Sequence, residues 1–138
     1  MNLADALLAA DAGKITKKEH KSYEVKRLSA ILGEPFVLDL RQIPNKRVRE
    51  IQDCSMKIEG GKTSVDQYKL TMGLLCDGIA NKDFDNRDVL KHYGAATRKD
   101  LFDTLLNAGE IQDIANIISE LCGFDSKKTE EQVDAVKN

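Results

Sequence analysis

Large aromatic side chains and long apolar runs are both scarce in this sequence. Its 138 residues include no Trp and only 5% aromatic residues, so the core must be mainly aliphatic. No apolar run approaches the roughly 18 residues that a membrane-spanning helix needs. The apolar stretch at residues 3–12 is interrupted by Asp5 and Asp11 and follows no basic residues, unlike a signal peptide. We therefore expect no membrane partner.

Cysteine is also sparse, and its three residues, Cys54, Cys76 and Cys122, are widely spaced. Their number is odd and no C-x-x-C pair occurs, so neither a disulfide framework nor a zinc site is indicated. Each lies on or near the apolar face of a predicted helix. We expect each to be a small buried hydrophobic residue in a reducing cytoplasm.

The charge balance limits the choice of partners. The net charge is -2, whereas phosphate binding depends on an excess of Lys and Arg, so nucleic acid is not expected as the main partner. Residues 1–62 are net positive and residues 63–138 are net negative. This asymmetry fits either two solvated faces or a surface that steers association.

The chain length predicts a single domain spanning residues 1–138. Hydrophobic periodicity predicts an α+β, predominantly α-helical fold, with a short N-terminal two-stranded β element packed on a bundle of about five to six helices. The two strands are expected at residues 22–26 and 36–41, paired and lying against helices because a lone hairpin is marginal in water. Residues 2–12 predict a helix ended by Gly13, and residues 1–20 are expected to form a mobile N-terminal helical arm.

Capping residues predict the helix starts in the middle of the chain. Asn45 predicts an N-cap, and Ser64-x-x-Gln67 predicts a capping box for a longer helix. Asp85 and Thr97 predict the N-caps of the two helices that follow.

Gly73 and Gly78 lie inside the long predicted helix. Each weakens it by about 1 kcal/mol relative to Ala. This cost indicates either a close helix–helix approach or a helix end that forms late.

The C-terminal third, residues 101–125, carries the strongest helical signal. An apolar stripe at helical spacing is formed by Ile111, Ile114, Ala115, Ile118, Leu121 and Cys122. We expect Ile114, Ile118 and Leu121 to be buried within the subunit. The stripe follows a break at residues 107–109 and ends at Gly123, which suits a left-handed C-cap.

The sequence after that stripe predicts one more element. Phe124 can fold its ring back onto the last helical turn. Ser126 is the predicted N-cap of a final polar helix.

Two segments look like ligand-binding loops but lack required residues. Residues 60–63, Gly-Gly-Lys-Thr, resemble the end of a P-loop, yet Met56 stands where that loop needs its first glycine. Residues 83–94 begin like a calcium loop but have Asp88 in place of the invariant Gly and Gly94 in place of the bidentate Glu. We expect no metal and no cofactor.

No spacing of nucleophile and base indicates an enzyme. His92 lies four residues after Asp88, which predicts a helix-surface pair, since two ligands do not make a zinc site. Residues 89–101 have a helix–turn–helix pattern around Gly94. A small helical DNA-binding regulator is therefore the alternative function, although the second helix would present Asp100 beside its basic residues.

The order of features resembles the tail assembly chaperones of phages and prophage-like elements of Gram-positive bacteria. In sequence order these are an apolar helix, the break at residues 107–109, a second apolar helix, Gly-Phe-Asp at residues 123–125, an acidic helix and a terminal Lys-Asn. The strand and short-helix pattern at residues 23–41 is similar to the lead-in of a subset of these proteins.

The resemblance implies a tail assembly chaperone that acts in the cytoplasm of the bacterial host. It would bind the tape measure protein, keep this long helical chain soluble, and give way as the tail tube protein polymerises around it. It would be absent from the mature particle, and self-association remains open. Leu3, Leu7 and Leu8 share a face of the arm, so they are a candidate contact for the tape measure protein or a neighbouring chaperone.

Overall fold

A computed structural model describes residues 2–124 as a mostly helical α+β fold with two small antiparallel strand pairs, as predicted. The helices are α1 (Leu3–Ala9), α2 (Ala12–Thr16), α3 (Lys26–Leu32), α4 (Asn45–Cys54), α5 (Gln67–Gly78), α6 (Arg87–His92), α7 (Arg98–Leu105) and α8 (Ala108–Leu121). The strands are β1 (His20–Glu24), β2 (Val37–Arg41), β3 (Met56–Glu59) and β4 (Lys62–Val65), and a 3-10 helix covers Lys82–Asp85. The predicted helix beginning at Ser126 lies outside the described residues.

Strands β1 and β2 form the predicted N-terminal hairpin, in antiparallel register from His20 opposite Arg41 to Glu24 opposite Val37. Leu38 and Leu40 are buried on one face of β2, as its alternating pattern requires. Strand β1 begins and ends two residues earlier than predicted, and its end is set by the buried Val25, which is the N-cap of α3.

The outer edge of β2 is covered by the segment after α5. The backbone N–H of Ala80 donates to the Asp39 carbonyl at 2.8 Å. The Asn81 side chain accepts from the Asp39 N–H at 2.7 Å and donates to the Val37 carbonyl at 3.2 Å. These bonds satisfy backbone groups that an open strand edge would leave unpaired.

Helix α5 lies at the centre of the body and packs against α4 and α8 through its glycines. A Cβ atom at Gly73 would lie 2.7 Å from Ile51 Cγ2, and one at Gly78 would lie 2.5 Å from Ile118 Cδ1. Both distances are shorter than real Cβ contacts, so the close helix–helix approach predicted for these glycines is confirmed.

The buried core is aliphatic except for Phe84 and Phe102. Ile114 and Ile118 are fully buried as expected, whereas Leu121, also expected to be buried, is only half-buried against the core. The buried hydrophobic residues of this core are Val25, Leu28, Leu38, Leu40, Ile43, Val48, Ile51, Met72, Leu75, Ile79, Phe84, Leu101, Phe102, Leu106, Ile114, Ala115 and Ile118.

The cysteine prediction was wrong for Cys54, which is exposed, whereas Cys76 and Cys122 are half-buried. Cys54 is the last residue of α4, where the helix face turns away from the core.

Three predicted N-caps were wrong by one or two residues. Asn45 is the first residue of α4, and Pro44 precedes it without a side-chain cap. Helix α5 is capped by Asp66, whose carboxylate accepts from the Lys69 N–H at 3.1 Å, and not by Ser64, which lies in β4. Helix α6 is capped by Asn86, because Asp85 is the last residue of the 3-10 helix.

The predicted N-cap of α7 and C-cap of α8 are confirmed, whereas the predicted break at residues 107–109 is shorter than expected because α8 begins at Ala108. Thr97 accepts from the Asp100 N–H at 3.4 Å, and Asn107 forms a capping box with Glu110. At the end of α8, Gly123 has φ 92° and the Phe124 N–H donates to the Ser119 carbonyl, as in a Schellman motif. The Phe124 ring itself is exposed.

The N-terminal segment differs from its prediction. Helix α1 ends at Ala9, and Asp11 caps the short α2, so Gly13 lies inside a helix instead of ending one. Every residue from 2 to 22 is exposed.

The hairpin formed by β3 and β4 was not predicted. Its strands pair from Met56 opposite Val65 to Glu59 opposite Lys62. Gly60 and Gly61 form the turn with φ of 56° and 77°, positive values that this tight connection requires. All hairpin residues are exposed.

No helix within residues 2–124 has the length and apolar character needed to cross a membrane.

Candidate functional site

An apolar groove of about 430 Å³ opens at the end of the β1–β2 hairpin. Its walls come from α3, the start of β2, the 3-10 helix, α6 and the end of α7. The lining residues are Leu28, Leu32, Pro35, Phe36, Val37, Asn81, Asp83, Phe84, Val89, Tyr93 and Leu105. Grooves of this kind accept the apolar ridge of an amphipathic helix.

The rim of the groove exposes large apolar side chains to solvent. Leu32, Val37 and Tyr93 are 53%, 45% and 42% exposed, respectively. Their concentration around one concave surface distinguishes them from single exposed apolar residues, which are ordinary on protein surfaces.

Aromatic packing ties the groove floor to the core. The Phe84 ring lies 5.9 Å from the Phe36 ring and 5.0 Å from the Phe102 ring, the latter in an edge-to-face arrangement. Phe84 and Phe102 are both buried. The floor is therefore a rigid extension of the core.

Arg98 fixes the wall that contains Asn81. Its guanidinium donates to the Cys76 carbonyl at 2.7 Å and to the Asn81 carbonyl at 2.8 Å. The Nε atom lies 3.3 Å from Asp85 Oδ1, within ion-pair distance, but the alignment is too poor for a hydrogen bond. Arg98 also stacks over Phe102, with 5.5 Å to the ring centroid.

A second ionic contact joins α3 to the start of α8, next to the groove residue Leu105. Arg27 donates to both carboxylate oxygens of Glu110, at 2.8 and 3.1 Å, and to the Leu105 carbonyl at 2.8 Å. The hydrogen bond from Arg27 lowers the pKa of Glu110 below its ordinary value, and the Asn107 N–H adds to the effect.

The candidate contact residues of the arm lie apart from any core. Leu3, Leu7 and Leu8 on α1 are 83%, 62% and 86% exposed. No residue of α1 or α2 is buried. The three side chains are therefore accessible to a partner.

The residues that looked like ligand loops form ordinary structure. Residues 60–63 are the turn of the β3–β4 hairpin and the first half of β4, and residues 83–88 run from the 3-10 helix into α6. Among residues 2–124, no cluster of three or more His, Cys, Asp or Glu side chains could bind a metal ion.

The histidine pairing differs from the prediction. The His92 ring packs edge-on against Tyr93, and no His92–Asp88 contact is present in the described part of the chain. His20 has a carboxylate neighbour instead, with Nδ1 2.9 Å from Asp39 Oδ1.

The helix after the turn at Gly94 engages its basic side chains in contacts within the protein. Arg98, the first residue of α7, is committed to the carbonyls of Cys76 and Asn81. Lys99 lies over the Tyr68 ring, whose hydroxyl donates to Asp103 at 3.1 Å. The exposed part of α7 thus combines few free cations with acidic side chains, which disfavours phosphate binding.

Sequence reasoning missed the groove because its lining comes from segments far apart in the chain. Leu32, before the C-cap Gly33, and Val37, on the outer face of β2, are apolar in the sequence, but neither indicates by itself that it lines a groove.

Comparisons with known proteins agree with the sequence pattern. A family model described as phage XkdN-like tail assembly chaperone protein matches residues 4–137. A crystal structure of the protein yqbn has a similar fold, with a TM-score of 0.58 and 16% identity, covering 84% of this chain and 98% of that chain. No curated protein matches the chain.

Proposed function

Because this chain belongs to the phage XkdN-like tail assembly chaperone family, we propose that it binds the tape measure protein and keeps it soluble until the tail tube protein polymerises around it. The chaperone is then released and is absent from the mature particle. The proposed setting is the cytoplasm of the bacterial host.

The observation that carries this proposal is the apolar groove with its exposed rim. A tape measure protein is a long helical chain, and an amphipathic helix of such a chain offers apolar side chains at i, i+3, i+4 and i+7. Leu32, Val37 and Tyr93 provide a complementary apolar rim. The rigid floor at Phe84 keeps the groove open before a helix arrives.

Weak binding at each groove suits this role better than tight binding. A groove of about 430 Å³ contacts only a few side chains of a client helix, which limits the affinity of one copy. Many copies along one chain supply avidity, while each copy remains displaceable by a tube subunit.

We propose a second contact through the arm, with Leu3, Leu7 and Leu8 binding the tape measure protein or a neighbouring chaperone. Their exposure on α1 supports this role. In this proposal residues 1–138 are one domain, and residues 1–20 are its mobile arm.

Co-expression with the tape measure protein of the same phage or prophage tests the function. We expect the long chain to be soluble and to co-purify with the chaperone. A Leu32→Asp variant, altered at an exposed position of the rim, should fold but leave more of the tape measure protein insoluble. If the wild-type chain neither co-purifies with that protein nor raises its solubility, the chaperone proposal is wrong.

Deleting residues 2–12 tests the arm. Loss of oligomers or reduced solubilisation of the tape measure protein is the expected result. Unchanged oligomerisation together with unchanged solubilisation would contradict a contact role for the three leucines.

A further inference from the structure

We propose that the groove selects client helices whose apolar ridge is flanked by Lys or Arg. This inference rests on the proposed function and adds the chemistry of the segment that binds. It comes from the charges at the groove, because the apolar lining by itself would accept an amphipathic helix of either charge.

The groove presents negative charge. Asp83 is the one charged residue among those that line it, and it is exposed. No ion pair engages Asp83 within residues 2–124. Lys82 immediately precedes Asp83 in the chain but does not line the groove. The Asp83 carboxylate is thus free to meet a cation on an incoming helix.

A second carboxylate adjoins the lining in sequence, although, like Lys82, it does not itself line the groove. Glu34 is exposed and immediately precedes Pro35, which lines the groove between α3 and β2. It too makes no ion pair in the described part of the chain. The basic Arg27 on α3 is not available to balance these charges, because its guanidinium is bound by Glu110.

A helix seated in the groove would place a flanking side chain beside the Asp83 carboxylate. Lys or Arg there gains an attractive pair with Asp83, and its methylene stem can also cover the apolar rim at Leu32 or Val37. Glu or Asp at the same positions would face like charge. The charge preference therefore selects which helices of a long client are bound and in what register.

Two model peptides with the same leucine ridge test the inference, one with Lys and one with Glu at the flanking positions. Binding to the full chain is measured by fluorescence anisotropy at low and high salt. We expect the Lys peptide to bind about two- to fivefold more tightly at low salt, the range for a solvent-exposed ion pair. This preference should fall as salt is added.

Asp83→Asn should remove much of the preference for the Lys peptide. Glu120→Gln is the matched control: it removes one negative charge at an exposed position of α8 that does not line the groove. It should leave the preference unchanged. Leu32→Asp should weaken both peptides, which places them in the groove.

Equal binding of the two peptides, or a preference insensitive to Asp83→Asn, would overturn the charge inference. Binding of neither peptide, or binding insensitive to Leu32→Asp, would overturn it as well. Sedimentation of the wild-type chain and the Leu32→Asp variant tests whether a second copy of the chain occupies the groove instead. A wild-type dimer that is lost in the variant would assign the groove to that second copy and refute the inference. None of these results decides the chaperone function, which the solubility of the co-expressed tape measure protein tests independently.

Discussion

Replacing Gly78 with Ala tests whether α5 is pressed directly against α8. A Cβ atom at this position would lie 2.5 Å from Cδ1, 2.7 Å from Cγ2 and 2.8 Å from Cγ1 of Ile118. Because three atoms of one side chain are involved, rotating the tip of Ile118 cannot relieve all the contacts. Ile118 is also fully buried, so it has no free space to enter.

Two opposing effects set the magnitude. Ala is favoured over Gly by up to about 1 kcal/mol inside a helix, and only part of this gain applies at Gly78, the last residue of α5. Overpacking a close-packed core costs about 1–3 kcal/mol. We expect a net loss of about 1–2 kcal/mol in the free energy of unfolding, with a melting temperature lower by roughly 2–6 °C.

Urea denaturation followed by far-UV circular dichroism measures this loss. Gly109→Ala is the matched control, because the nearest atom to its added Cβ is Asn107 Oδ1 at 3.7 Å, an ordinary contact. That variant should be as stable as wild type or slightly more stable.

A double-mutant cycle with Ile118→Ala isolates the contact. Ile118→Ala alone should cost about 2–5 kcal/mol by leaving a cavity. The new methyl at position 78 can occupy part of that space, so Gly78→Ala should cost less in this background, or even stabilise the protein. A wild-type stability for the Gly78→Ala chain, or the same cost in both backgrounds, would refute the close-contact explanation of Gly78.

Two further predictions concern the polar contacts around the groove. Arg98→Met should lower the free energy of unfolding by about 2–4 kcal/mol, because it leaves the carbonyls of Cys76 and Asn81 without their donor. Urea denaturation measures this loss, and Lys99→Met at the exposed neighbouring position is the control that should cost far less. Equal losses in the two variants would contradict the role of Arg98. The Glu110→Gln variant should be less stable than wild type at pH 7, and the difference between their unfolding free energies should become smaller as the pH falls. Folding lowers the pKa of Glu110, so its stabilisation is complete above the unfolded value of about 4.3 and is lost as the pH falls through the lower folded value. Unfolding free energies of both chains at pH 7 and pH 3 measure this, and a gap that stays constant or widens in acid would contradict it.

Elements with strong local periodicity were predictable from the sequence. The alternation of β2 and the apolar stripe of α8 placed Leu38, Leu40, Ile114 and Ile118 in the core, where the structure has them. Gly73 indicated a close approach because a glycine inside a helix is costly unless something requires it.

The β3–β4 hairpin was missed for a physical reason. It is exposed on both faces, so burial imposes no clear hydrophobic alternation on residues 56–65. Its one strong signal is Gly60-Gly61, a favoured pair for a two-residue hairpin turn, but without alternating strands on either side these glycines alone do not predict a hairpin.

The groove could not be predicted by any local rule. Phe84, Leu32 and Tyr93 are brought together only when α3, the 3-10 helix and α6 dock around the strand edge that Asn81 closes. Whether Leu32 lies on a rim or in the core depends on those long-range contacts. For the same reason, the exposure of Asp83 at the groove could not be inferred from its neighbours in sequence.

The β3–β4 hairpin leaves and rejoins the helical body at a single point, where the Asp66 N–H donates to the Ser55 carbonyl at 2.7 Å. What is inserted at the Gly60-Gly61 tip therefore does not alter the path of the chain through the body. Lengthening a closed loop costs little, about 0.6 kcal/mol for each doubling of its length. The tip is thus a graft site, where a fluorescent reporter or an affinity tag could follow the protein during assembly and leave both the groove and the arm unmodified.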